Sequence, residues 1–178
     1  MNAKKTVKQF INPNLLPVII LLLIIGVGTF FGVVIFFCVT LPALIRAKKS
    51  IEKLEASGKL EQAAEELTSA NAKRLMNGKL VLTDHYVICK RTGYIFTYDE
   101  IAWAYRHRFT QRVLLIPIKV TDSLYLATET MKPKQVVAMG KDKLDEIKTA
   151  IVEIYNHNSK CLVGYSQENA ASYKQMTR

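Results

Sequence analysis

Asp84 and His85 are the only carboxylate and imidazole that stand side by side in this chain. Adjacent side chains on a turn point in different directions, so the pair does not form an oriented general base. His107 lies between Arg106 and Arg108 in a stretch with strand alternation, which puts both arginines on the other face. His157 falls at a helix end, where an imidazole meets the negative pole of the helix dipole. The three cysteines, Cys38, Cys89 and Cys161, are an odd and scattered set. That pattern is not a disulfide framework, and it predicts buried thiols in a reducing compartment. Metal-spaced Cys/His sets, Gly-rich phosphate loops and nucleophile elbows are missing from the sequence. The expectation is a non-enzymatic protein with no cofactor and no metal.

Binding chemistry is better represented. The formal charge is +10. Lys90, Arg91, Arg106, Arg108 and Arg112 fall at predicted hairpin ends, where each basic side chain contributes about 1 kcal/mol to contact with an anionic membrane surface. Tyr98, Asp99 and Tyr105 form a candidate recognition rim around the entry to one strand. There Asp99 is expected to accept backbone N–H groups and Trp103 to fill the core. Neither a recognition helix nor an aromatic-basic platform emerges, which argues against nucleic acid as a partner.

The elements that position these residues begin with an apolar stretch. Residues 15–45 read LLPVIILLLIIGVGTFFGVVIFFCVTLPALI, uncharged until Arg46. A bilayer core needs about 20 apolar residues in a helix. A cleaved signal has an apolar region of about 7–15 residues ending at small side chains, whereas Phe36 and Phe37 are bulky. The sequence therefore predicts a retained transmembrane helix over 15–41, following a basic tail over 1–14. Arg46, Lys48, Lys49 and Lys53 slightly outweigh Lys4, Lys5 and Lys8, which places the rest in the cytoplasm, on a single-pass protein of the cell membrane. Gly28 and Gly32 have the spacing that lets two membrane helices pack as a homodimer.

Pro42 is expected to kink or end that helix. A polar helix over 43–56 stops at Ser57-Gly58. A second carries Leu60, Ala63, Ala64, Leu67 and Leu75 at helical spacing, which completes a juxtamembrane helical hairpin over 42–76. From Asn77-Gly78 the pattern changes to strand. KLVLT, YVICK, YIFTY, the alternating stretch 101–110, VLLIPIKV, LYLATE and QVVAM make about seven strands. A helix over 142–156, with Leu144, Ile147, Ile151, Ile154 and Tyr155 on one face, closes a domain over 77–163. Residues 164–178 remain as a tail.

Short antiparallel strands followed by one amphipathic helix are the order of a pleckstrin-homology (PH)-like barrel. Residues 78–108, GKLVLTDHYVICKRTGYIFTYDEIAWAYRHR, resemble the core of small bacterial membrane proteins of unknown function that carry PH-like domains. Tyr98, Asp99, Ile101 and Trp103 match their Tyr-Asp-x-Ile-x-Trp progression, and Gly164, Tyr165 and Ser166 match a later motif. The resemblance covers roughly residues 60–173. It implies an α+β fold: an N-terminal transmembrane helix, a helical hairpin, then a PH-like seven-stranded antiparallel barrel or sandwich capped by a C-terminal helix. The motifs are structural and bring no activity. Many PH domains bind phosphoinositides through basic residues in the first hairpin loop. Here that loop is read as Thr83-Asp84-His85, which carries an acid instead. The reading is a membrane-anchored PH-like protein-interaction or scaffold module, integral in the lipid bilayer, with an unidentified protein partner. The alternative is a peripheral sensor of anionic membrane lipid acting through the basic tips.

Overall fold

Leu80-Val81-Leu82 and Tyr86-Val87-Ile88-Cys89 are unbroken apolar runs because the sheet they build is covered on both faces. A half-solvated strand would alternate instead. The computed structural model describes residues 36–113, 116–140 and 144–177, together with Lys4, Val33 and Val34. A π-helical turn, Phe36–Thr40, runs directly into α1 (Leu41–Ala56), and α2 (Leu60–Thr68) folds back beside it. There follow β1 (Lys73–Leu75), β2 (Leu80–Leu82), β3 (Tyr86–Cys89), β4 (Tyr94–Thr97) and a 3-10 turn, Tyr98–Glu100. The chain continues through β5 (Trp103–Val113), β6 (Ile116–Ala127), β7 (Lys134–Gly140), α3 (Leu144–His157), β8 (Leu162–Val163) and α4 (Gln167–Met176).

The first four strands form an antiparallel meander, and the second sheet has the order β7-β6-β5-β8. Strand β8 lies parallel to β5. Between the sheets, Leu80, Leu82, Val87, Phe96, Leu124 and Leu126 meet Ile147, Ala150 and Ile154 of α3 in one core. A second cluster covers the outer face of the first sheet. In it Ala47, Ile51 and Leu54 of α1 and Ala63, Ala64 and Leu67 of α2 pack on Val81, Tyr86, Ile88 and Ile95. A third, small cluster holds Trp103, Tyr105 and Ala127 under Tyr173 of α4.

Several expectations are corrected. The fold is α+β with eight strands in two four-stranded sheets and four α-helices among the described residues, rather than one seven-stranded barrel. Most of the expected span over 15–41, with Gly28 and Gly32, lies outside the described residues, as does the 1–14 tail apart from Lys4. Among the described residues no helix is long and apolar enough to cross a membrane. Helix α1 is amphipathic and spends its apolar face on the sheet. Pro42 neither ends nor breaks it, because it falls in the first turn of α1, just after the π-helical turn, where a missing N–H is tolerated.

Leu75 belongs to β1 rather than to the second helix, which stops at Thr68. Residues 116–120 and 124–127, expected in separate strands, belong to one strand, β6, because Asp122 is not a turn residue but a fully buried partner of Arg106 and Arg108. Trp103 is buried, though on the face of β5 opposite the main core. The capping carboxylate before β5 is that of Glu100, which receives the Thr97 amide, while Asp99 is exposed. The C-terminal residues form a helix whose N-cap, Ser166, accepts from the Asn169 amide at 3.0 Å.

One glycine sets how closely α1 approaches the sheet. Gly93 has φ +76°, and a Cβ there would strike the backbone of α1, falling 2.8 Å from the Ala47 nitrogen. Gly58 also has a positive φ, +67°, but faces open space. Gly93→Ala should therefore cost about 2–4 kcal/mol, combining left-handed strain with overpacking. Gly58→Ala should cost only the strain, about 1–2 kcal/mol. Urea unfolding of the two variants side by side measures the difference, and equal losses would mean that α1 is not seated on Gly93.

Candidate anion-binding cleft

The turn between β1 and β2 is the first hairpin turn of the fold, and it carries a lysine. Met76, Asn77 and Gly78 all adopt positive φ, at 56°, 58° and 70°. Such a conformation is unusual for a methionine. Its side chain is fully buried in the main core, and its amide donates to the Glu146 carboxylate. The turn delivers Lys79, whose carbonyl accepts the Lys90 amide at 2.9 Å across the neighbouring hairpin end. The loop read from sequence as the first, Thr83-Asp84-His85, connects β2 to β3 and lies at the opposite end of the meander.

Lys79 therefore shares an end of the sheet with the β3–β4 turn, which holds Arg91 and Thr92. Helix α1 brings Arg46 to the same place. The Arg46 Nε donates to the Thr92 carbonyl at 2.9 Å, and its guanidinium stands 5.2 Å from the centre of the Tyr94 ring. Ser50, one turn further along, donates to the Gly93 carbonyl at 3.2 Å. Residues 135–138 of β7 form the facing wall, and Cys38, Val39 and Pro42 form an apolar lip. The cleft, open on one side to solvent, measures about 380 Å³. Arg46, Lys79 and Arg91 line it, and none of its lining residues among those described is acidic. Thr92 and Gln135 add neutral polar groups. The arrangement suits a compact anion, since Arg offers a planar fork of donors and Lys a mobile point charge.

Of the residues singled out in the sequence, Lys90 and Arg91 sit at this end of the sheet. Arg106 and Arg108 do not join them. Both nitrogens Nε lie 3.1 Å from the Asp122 carboxylate, which is wholly buried, and Arg108 adds a second bond at 3.2 Å. Arg112 is exposed near the far end of β5. Arg46 and Lys79 were missed. In the sequence Arg46 is one of several flanking charges, and the Asn77-Gly78 hairpin signal marks only a boundary until β1 is seen to precede it as β2 follows it.

The recognition rim is not assembled either. Tyr98 is buried in the main core, where it donates to the Thr83 carbonyl at 2.9 Å and stacks on His157 with ring centres 4.1 Å apart. Burial raises its phenol well above the ordinary range. Tyr105 lies on the outer face of the other sheet, stacked on Tyr125 at 5.3 Å. Burial also pushes the Cys161 thiol up to about 12 and raises that of Cys89. Neither is a poised nucleophile.

The Asp84–His85 turn opens on a separate pocket of about 350 Å³ that includes Asp99 and His157. Its hydrogen bonds close within the fold. Glu66 of α2 accepts from Thr83 Oγ1 at 2.8 Å and from the His85 amide at 3.0 Å, and lies 2.6 Å from the His85 ring. The carboxylate clamps the β2–β3 turn to the helix.

A sequence profile described as a domain of unknown function, DUF6709, matches residues 46–173. The chain belongs to this family. No similar curated protein and no similar solved structure was found. The DUF6709 match opens at Arg46, in the wall of the cleft, and ends at Tyr173, which lies over the Trp103 cluster. The family unit therefore takes in most of α1 and most of α4. Tyr173 holds its place through a hydroxyl 2.9 Å from the Thr128 and Met131 carbonyls.

The Glu66 clamp makes a pH prediction for this DUF6709 domain. Burial raises the Glu66 carboxyl, but bonds from Thr83 and His85 outweigh that and hold it below its ordinary value of 4.5. A depressed carboxyl contributes stability that is complete above the unfolded value and is lost as pH falls through the folded one. Glu66→Gln should lower the melting temperature at neutral pH and flatten the acid loss below about pH 4.5. Thermal melts of both proteins across that range check it, and parallel curves would remove the clamp from the account.

Proposed function

We propose that the protein is a non-enzymatic, PH-like binding module that takes the anionic headgroup of a membrane lipid in the cleft between α1 and the first and third hairpin turns. The observation that carries this reading is the convergence of Arg46, Lys79 and Arg91 on one cleft with no acidic lining residue among those described. Such cations form charge-assisted bonds to phosphate oxygens. The uncharged stretch over 15–45 supports a location at the cell membrane. An antiparallel four-stranded meander, a second meander and a helix plugging the space between them support the PH-like reading.

A second reading, a protein-interaction or scaffold surface, is favoured by the aromatic side of β5. Tyr165 is 67% exposed while stacked on Trp103 at 5.9 Å. Aromatic side chains on a rigid support are typical interface anchors.

Lysine footprinting separates the readings. The full chain, reconstituted in vesicles of phosphatidylcholine alone or with phosphatidylglycerol, is treated with an amine-reactive reagent and digested for mass spectrometry. Lys79 should react more slowly in the anionic vesicles, and the protection should disappear in an Arg46→Gln, Arg91→Gln variant and at raised salt. Equal reactivity of Lys79 in both vesicles would sink the lipid reading and leave the aromatic surface as the functional one.

A further inference from the structure

Strands β5 and β6 are longer than the sheet that contains them. Strand β7 follows β6 only as far as Thr121, opposite Gly140, whereas β5 and β6 stay paired to Val113 and Ile116. Among the described residues the outer part is a two-stranded ribbon about 15 Å long at the usual strand rise. Such a ribbon is marginal on its own in water. It nevertheless exposes Phe109 by 58% and Ile118 by 61%. The ladder slips between Gln111 and Arg112, which leaves Ile118 as the unpaired residue of a bulge. Arg112 and Lys119 are exposed beside these apolar side chains.

The charge pattern selects the occupant. From residue 106 to 121 the sequence holds Arg106, Arg108, Arg112 and Lys119 and no Asp or Glu. The next acid, Asp122, is buried and committed to Arg106 and Arg108 at the base of the ribbon. Between Arg112 and Lys119 the sequence contains no polar side chain at all. Apolar residues flanked only by cations are the composition of segments that enter the boundary between lipid headgroups and acyl chains.

We propose that the β5–β6 ribbon is a membrane finger. Phe109 and Ile118 enter the interface of an anionic bilayer, and Arg112 and Lys119 meet its phosphates. The inference goes beyond the cleft: it stands on the ribbon's own side chains and adds an apolar contact to the bilayer. The ion pairs at its base fix the ribbon on the sheet, so insertion requires no refolding.

The test uses the full chain with Ile118→Cys in a Cys38→Ser background, labelled with the environment-sensitive dye NBD. Cys89 and Cys161 are buried and stay unlabelled. The protein is reconstituted in vesicles of phosphatidylcholine with or without phosphatidylglycerol. In the anionic vesicles the emission should shift to the blue and be quenched severalfold by nitroxide-bearing lipid. Arg112→Ser with Lys119→Ser should abolish both effects while leaving the circular dichroism spectrum unchanged. Water-like, unquenched emission in anionic vesicles would overturn the finger, and if Lys79 were still protected the cleft reading would survive. Quenching at residue 118 without Lys79 protection would sustain the finger and sink the cleft. A shift that is equal in both vesicles and grows with protein-to-lipid ratio would assign the ribbon to a second copy of the chain and overturn the proposal.

Discussion

The seating of α1 on the first sheet is the contact on which the rest of the molecule depends. Gly93 allows it, because any side chain there would collide with the α1 backbone. Arg46 and Ser50 then tie the helix to the Thr92 and Gly93 carbonyls. The seat has two consequences. It lets Ala47, Ile51 and Leu54 cover Val81, Ile88 and Ile95, which would otherwise leave a broad apolar face in water. It also carries Arg46 to the hairpin end where Lys79 and Arg91 already stand. One close backbone approach thus completes a core and assembles a cleft.

The second sheet is organised around a buried charge. Placing a carboxylate in the interior is costly unless it is paired and hydrogen-bonded. Asp122 meets that condition through two arginines of the facing strand, both at 3.1 Å. The pairing also withdraws Arg106 and Arg108 from the set of cations open to a ligand. Arg46, Lys79 and Arg91 gather in the cleft, and Arg112 and Lys119 lie out along the ribbon. The two surfaces differ in chemistry: the first gathers its cations around a cleft, and the second sets them beside exposed Phe109 and Ile118.

Around Trp103, packing took precedence over alternation. The pattern of Trp103 and Tyr105 against Ala104 and Arg106 was visible as a two-faced strand. The larger side chains were the natural choice for the interior. The interior instead took Ala104, which belongs to the same core cluster as Ile147, Ala150 and Ile154 of α3. The aromatic face turned outward and was covered by α4, with Trp103 Nε1 donating to the Gly164 carbonyl at 2.8 Å.

Local signals alone determined a good part of this protein. The α3 stripe of Ile147, Ile151 and Ile154, the Ser57-Gly58 stop and the strand runs from Leu80 to Thr97 were all legible, since each depends on residues close together in the chain. Strand β1 and the joining of β6 were not legible. Lys73-Arg74-Leu75 is too short and polar to declare itself until it pairs with Leu80-Val81-Leu82. Thr121-Asp122-Ser123 looks like a turn until two arginines from another strand make it an interior segment. The cleft was hidden for the same reason. Arg46 and Arg91 are far apart in sequence, and only the tertiary contact at Gly93, a steric fact with no local signature, puts their charges in one place.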